Sequence, residues 1–156
     1  MSGAGAPAIS VDGAGLLVGV VASSWHTTVM DGLLAGAHRE LTRSGVSAVE
    51  VMRVPGAFEL PLGAARLLSR CDCVVALGVV IRGGTPHFEY VCRAATDGLL
   101  RAGLDAGRPV GFGLLTCDDE QQALDRAGFD DSREDKGAEA AAAAVAMAVL
   151  MRSDAG

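Results

Sequence analysis

The chain has few aromatic residues, no cluster of basic residues, no paired cysteine motif and no apolar run long enough to cross a bilayer. Each absence removes a class of function. Lys and Arg number 13 against 19 Asp and Glu, a net charge of −6, and nowhere do basic residues gather in the density needed to neutralise a nucleic-acid backbone. The four cysteines, Cys71, Cys73, Cys92 and Cys117, form no C-x-x-C pair and have no histidines at zinc-ligand spacing. Neither a structural zinc site nor a redox motif is indicated, and buried thiols are expected. The apolar stretch from Ala140 to Met151 falls short of the roughly 20 residues that span a membrane. The N-terminus lacks the basic and apolar regions of a signal peptide, so a reducing cytoplasm is expected, with no membrane and no nucleic-acid partner. No G-x-G-x-x-G turn follows the first apolar run, where Ala-Ser-Ser-Trp stands instead, which argues against a nicotinamide dehydrogenase.

What is present is aliphatic. Hydrophobic residues make up 50% of the 156 positions and aromatics 4%. Small branched side chains must therefore do most of the packing, as in layered folds built on buried parallel strands. Residues 1–15 are rich in Gly, Ala and Ser, with only Ile9 and Val11 to bury. They read as a flexible arm, either disordered or added as an edge strand to a neighbouring sheet. Residues 16–152 read as one domain and 153–156 as a tail.

Within that domain four apolar runs of strand length, 16–22, 46–54, 74–81 and 110–116, alternate with helical segments. Val29, Leu33, Leu34, Ala37 and Leu41 form the inward face of the first helix. A short helix runs to about Ser69. A third covers roughly 86–106, with Val91, Ala94, Ala95, Leu99 and Ala102 inward. Asp118 or Asp119 caps a short fourth helix before a charged loop, and an alanine-rich helix spans 136–152. Most of that last helix's circumference is apolar, which suits oligomer contact. The order implies a flavodoxin-like three-layer α/β/α sandwich with a four-stranded parallel sheet, whose ligands bind beyond the carboxyl ends of the strands.

Two features fall at those ends. Of the six aromatic residues, Trp25, Phe58, Phe88 and Tyr90 follow strands one, two and three, a placement suited to stacking on a flat-ring ligand or to a hydrophobic interface. After the third strand, Gly83-Gly84 allows a sharp turn and Thr85 can cap a helix beginning at Pro86. A helix opening this way offers unpaired N–H groups and the positive end of its dipole to a phosphate, with His87 as a proton carrier beside it. The same turn also occurs as a plain strand-to-helix connection.

Five blocks in order then carry a resemblance: Val-Pro-Gly-Ala-Phe-Glu-Leu-Pro (54–61), Ala-Leu-Gly-Val-Val-Ile-Arg-Gly-Gly-Thr-Pro-His-Phe-Glu-Tyr-Val-Cys (76–92), Gly-Leu-Leu-Thr (113–116), Gln-Ala-Leu-Asp-Arg-Ala-Gly (122–128) and Asp-Lys-Gly-Ala-Glu-Ala (135–140). The chain resembles the lumazine synthases of riboflavin biosynthesis from Leu16 to Arg152. The resemblance implies a transferase that condenses 5-amino-6-(D-ribitylamino)uracil with 3,4-dihydroxy-2-butanone 4-phosphate, without metal or organic cofactor.

It further implies that Trp25 stacks on the pyrimidine and that backbone groups of Val79, Val80 and Ile81 fix its edge. Ala57, Phe58 and Glu59 line the pocket, Glu59 reaching ribityl hydroxyls. Phe112 forms a wall, Lys136 a further contact, and Gly84, Thr85 and Arg126 hold the phosphate. His87 matches the proton-transfer position. Arg82 could touch the phosphate but is read first as structural at the turn, His38 is read as a surface residue, and His26 stands where asparagine is common. Cys117-Asp118 stands where Thr-Glu is common. Family members assemble as pentamers or multiples of pentamers with sites between subunits, which places Phe112, Arg126 and Lys136 at a neighbour's pocket. The loop 129–135 leans towards a free pentamer or pentamer pairs. Two other functions use the same residues, a non-catalytic flavin- or pterin-like binding module and an assembly protein without activity. His87 and Arg126 beside the pocket favour an enzyme over either.

Overall fold

The structure is a computed structural model in which residues 5–154 are described. Residues 1–4 of the expected arm and 155–156 of the expected tail lie outside those residues. The elements follow as β1 (Leu17–Ser23), α1 (Thr27–Arg43), β2 (Ala48–Val54), a single 3₁₀ turn (Ala57–Glu59), α2 (Leu60–Leu68), β3 (Cys73–Ile81), α3 (His87–Ala106), β4 (Val110–Cys117), α4 (Glu120–Leu124) and α5 (Lys136–Asp154). The four strands form one parallel sheet in the order β2-β1-β3-β4, the architecture expected from the alternation of apolar runs and helices.

Alternation along each strand feeds two cores. Val18, Val20 and Ala22 of β1 and Val75, Leu77 and Val79 of β3 meet Val29, Leu33, Ala37 and Leu41 of α1 and the alanines of α5. Val21, Val74 and Ala76 face the opposite way, onto Leu60, Ala64 and Leu67 of α2 and Ala95 and Leu99 of α3. Burial on both faces is why β1 and β3 read as unbroken aliphatic runs. Glycine sets the closest contact between helices: a Cβ at Gly137 would stand 2.1 Å from the carbonyl oxygen of Leu33, so α5 seats directly on the backbone of α1. Cys71, Cys73 and Cys117 are buried and Cys92 partly so, and all four are free thiols.

Several local expectations need correction. Helix α3 begins at His87 with Pro86 as its capping residue, one position later than expected. The His87 N–H donates to the Thr85 hydroxyl oxygen over a long 3.4 Å. Neither Gly83 nor Gly84 takes a left-handed backbone, so the bend after β3 does not require glycine's conformational freedom. Of the five α3 residues expected inside, only Ala95 and Leu99 are buried. Val91 and Ala102 pack partly against the core. Helix α5 continues through Ser153 to Asp154, two residues beyond its expected end. Of the two aspartates that could cap α4, Asp119 does so, its carboxylate accepting from the Gln122 N–H at 2.8 Å.

Ahead of β1, no helix or strand forms between residues 5 and 16. Gly13 donates its N–H to the Ser44 carbonyl at 2.7 Å, Arg43 donates to the Ile9 carbonyl at 3.0 Å, and Val11 packs on the core. A large apolar surface is left in solvent by α3, β4 and α5, including Leu100, Leu104, Phe112, Met147 and Leu150. The edge strand β2 likewise exposes Val49 and Val51. Among the described residues no helix is long and apolar enough to cross a membrane.

Candidate active site

The register of the sheet opens a cavity at its carboxyl end. Pairing between β1 and β3 ends at Ala22 with Leu77, whereas β3 continues beside β4 to Ile81. Val79, Val80 and Ile81 therefore run past the end of β1 with one backbone edge unpaired by the sheet. Main-chain N–H and C=O groups on such an edge need partners, and a planar heterocycle with alternating donors and acceptors can supply them.

Around this edge lies a cavity of about 920 Å³. Its walls are Trp25 and His26 after β1, residues 56–59 after β2, and His87, Tyr90, Val91 and Ala94 of α3. The sequence brings these segments together because parallel strands deliver all their following loops to one end. Trp25 and Phe58 are 68% and 65% exposed, so neither ring is committed to the core and both are free to meet a ligand. Gly56 donates its N–H to Glu59 Oε2 at 2.9 Å, closing the turn after β2 and occupying that oxygen of the carboxylate.

The first turn of α3 is held by charge. Arg82, at the end of β3, pairs with Glu89 and with Asp118, the latter at 2.8 Å, and its guanidinium lies 4.3 Å from the centre of the Phe88 ring. Hydrogen bonds from Arg82 hold the carboxyls of Glu89 and Asp118 below their ordinary values and raise Arg82 in turn. These contacts tie the end of β3 to the first turn of α3 and to the end of β4, and they give Phe88 a partner outside the cavity. Gly83 and Gly84 are bordered by open space: a Cβ at either would meet nothing within 4 Å. The backbone there is accessible to an anion at the N-terminal end of the 20-residue helix α3.

Of the expected site residues, then, Trp25, Ala57, Phe58, Glu59, Val79, Val80, Ile81 and His87 share one cavity, with Gly84 and Thr85 just before His87 in the chain. Phe112, Arg126 and Lys136 do not line it. Phe112 borders a second groove of about 560 Å³ between α3, β4 and α5. Arg126 donates from Nη1 to the Gln122 carbonyl at 2.8 Å. Lys136 Nζ stands 2.8 Å from Glu134 and 2.7 Å from Glu139. Burial works to lower its pKa, but these carboxylates outweigh it and leave the ammonium raised.

Tyr90, Val91, Ala94, Gly56 and His26 also line the cavity; of these only Tyr90 is marked by the sequence as a candidate ligand contact, among the aromatics that follow the strand ends. The first three lie one and two turns along α3 from His87, so helical spacing from His87 would have found them. Among the described residues no group of three or more His, Cys, Asp or Glu side chains is arranged to hold a metal ion. The cavity can hold a flat polar ring against aromatic surface, with an imidazole and an anion-accepting backbone at its rim.

The family described as 6,7-dimethyl-8-ribityllumazine synthase matches residues 15–152. A 6,7-dimethyl-8-ribityllumazine synthase of Kineococcus radiotolerans is 63% identical over 153 residues, covering 97% of this chain and 95% of the relative. Proteins of the same description from Clavibacter sepedonicus and Kocuria rhizophila are 62% and 59% identical. They cover 98% and 97% of this chain, and 98% and 99% of their own lengths.

Proposed function

The chain belongs to the 6,7-dimethyl-8-ribityllumazine synthase family, and from that membership we propose how its cavity performs the family's reaction. The enzyme is a transferase of riboflavin biosynthesis. It condenses 5-amino-6-(D-ribitylamino)uracil with 3,4-dihydroxy-2-butanone 4-phosphate to give 6,7-dimethyl-8-ribityllumazine, phosphate and water, the penultimate step of the pathway. The observation that carries the assignment of roles is the meeting, in one cavity, of Trp25, the unpaired edge of β3 and His87.

In this reading the pyrimidine stacks on Trp25 between Ala57 and Phe58, with its polar edge bonded to the backbone of Val79, Val80 and Ile81. The ribityl chain reaches Glu59. The phosphate of the second substrate lies against Gly84 and Thr85 and is neutralised by Arg126. The 5-amino nitrogen attacks the ketone carbon, and His87 moves the protons required as one water leaves to form the imine, phosphate is eliminated, and the ribitylamino nitrogen closes the ring onto the new carbonyl with loss of a second water. An imidazole has one ring nitrogen that accepts and one that donates, so it can take up a proton in one step and return it in the next. Much of the acceleration comes from holding two substrates in contact.

The active assembly is a homo-oligomer, a pentamer or a multiple of pentamers in the cytoplasm, with each cavity completed by Phe112, Arg126 and Lys136 of an adjacent subunit. The apolar surface on α3, β4 and α5 and the placement of these three residues away from their own chain's cavity support this. The bare edge of β2 at Val49 and Val51 suits a strand added from a neighbour's N-terminal segment.

Co-expression of a Trp25→Ala chain with an Arg126→Ala chain tests the shared site. Either variant alone is strongly impaired, while random mixing restores about a quarter of the sites if each is built from two subunits. No restoration would mean that both residues serve a site within one chain.

A further inference from the structure

Only one non-glycine residue among the described residues has a left-handed backbone: His26, with φ 59 and ψ 64. It sits at the junction of β1 and α1, beside Trp25 on the cavity wall. An L side chain in this region crowds its own main chain, and a helix normally begins from an extended residue whose side chain caps the first turn. His26 has neither the extended backbone nor a capping hydrogen bond.

Its neighbours show what the conformation achieves. Ser24 is tied to the end of β2 twice, its hydroxyl donating to the Val54 carbonyl at 2.8 Å and its N–H to the Pro55 carbonyl at 3.3 Å. Two residues later, the His26 carbonyl accepts from the Met30 N–H at 3.0 Å and so belongs to the first turn of α1. The chain must reverse between these fixed points within Trp25 and His26. Because His26 takes the left-handed step, Trp25 turns outward over Gly56. A Cβ at Gly56 would stand 3.6 Å from indole Cδ1 and 3.7 Å from Nε1. Trp25 is 68% exposed, so the core does not hold its ring, and its contact with the His26 imidazole is wide and tilted, 6.4 Å between centroids at 52°, which leaves the main chain to set its direction.

We infer that His26 is a positioning residue, and that its left-handed backbone, not its imidazole, aims the Trp25 ring across the cavity for the pyrimidine. The inference rests on the proposed reading of the cavity as the pyrimidine site. Two classes of variant separate backbone from side chain. His26→Asn and His26→Gly accept the left-handed region, whereas His26→Val, branched at Cβ, resists it. Trp25 is the only tryptophan, so near-UV circular dichroism and tryptophan fluorescence report its setting with and without the pyrimidine substrate.

The Asn and Gly variants keep the tryptophan dichroism and bind the pyrimidine within about threefold of the unaltered protein, while the Val variant loses the band and binds about tenfold more weakly. KM for the butanone phosphate stays unchanged in all three. His26→Ala shows the same pattern at smaller amplitude and replaces the Val variant if that chain does not fold. A Gly variant as weak as the Val variant would assign the effect to the imidazole and overturn the inference, as would a Val variant equal to the unaltered protein. If the pyrimidine fails to quench Trp25 in the unaltered protein, the site assignment itself falls.

Discussion

The same substitution at two glycines has opposite expected consequences. In Gly137→Ala the new Cβ would lie 2.1 Å from the Leu33 carbonyl oxygen, 2.8 Å from its carbon and 3.0 Å from its Cα. These are backbone atoms of α1, so no rotamer change relieves the contact. Restoring a C···O separation of about 3.3 Å requires α1 and α5 to part by about 1 Å. Helix propensity favours alanine by about 1 kcal/mol, but overpacking against a rigid neighbour costs about 1–3 kcal/mol, and against main chain the upper end applies. A net loss of about 2 kcal/mol lowers the urea midpoint by about 1 M.

At Gly84 a Cβ meets nothing within 4 Å and the backbone is not left-handed, so Gly84→Ala leaves stability within about 0.5 kcal/mol. Its methyl group instead enters the space assigned to the phosphate, and KM for the butanone phosphate rises about tenfold through weakened charge-assisted hydrogen bonds. Urea unfolding and steady-state kinetics on both variants read the two effects separately. Unchanged stability in Gly137→Ala would refute the close seat of α5 on α1, and unchanged KM in Gly84→Ala would refute the phosphate assignment.

His87→Ala lowers kcat about a hundredfold without abolishing turnover, since proton transfer is only part of the acceleration. Arg126→Ala acts on KM for the butanone phosphate, by about tenfold or more at nearly constant kcat. The Arg82 cluster has an acid-labile contribution. Glu89 and Asp118 are held below their ordinary values of 4.5 and 3.8, so the stabilisation is complete above those values and is lost as pH falls through the depressed ones. Urea midpoints of the unaltered protein and an Arg82→Met variant should therefore differ at neutral pH and converge in acid. The thiols should react slowly in the native protein. Burial pushes Cys73 up to about 12 and raises Cys71, Cys92 and Cys117, so a thiol-titrating disulfide shows no fast phase until urea exposes all four.

The layers of the fold are legible in the sequence because β1 and β3 are buried on both faces and carry nothing but small and aliphatic side chains. The cavity is legible for the same reason: strand ends can be located, and Trp25, Phe58 and His87 follow them. Other features are set by contacts that a residue's identity does not reveal. Helix α3 has a clear apolar face, yet periodicity does not show whether the same chain covers it, and Tyr90, Leu100 and Leu104 remain exposed. Phe112, Arg126 and Lys136 are recognisable as site residues only through the sequence blocks that contain them. Their positions away from the cavity follow from where β4, α4 and the start of α5 lie. The left-handed His26 follows two residues after Ser24, which is anchored to the end of β2, and that tertiary tether has no local signature.

The central claim is that the cavity beyond β1, β2 and β3 condenses a pyrimidine amine with a butanone phosphate. The most direct measurement mixes the purified protein with both substrates and follows the absorbance and fluorescence of the lumazine against the reaction without protein. The expected result is acceleration at catalytic protein concentrations, strongly reduced in Trp25→Ala although that variant folds normally. Binding of the pyrimidine with no acceleration, or full activity in Trp25→Ala, would contradict it.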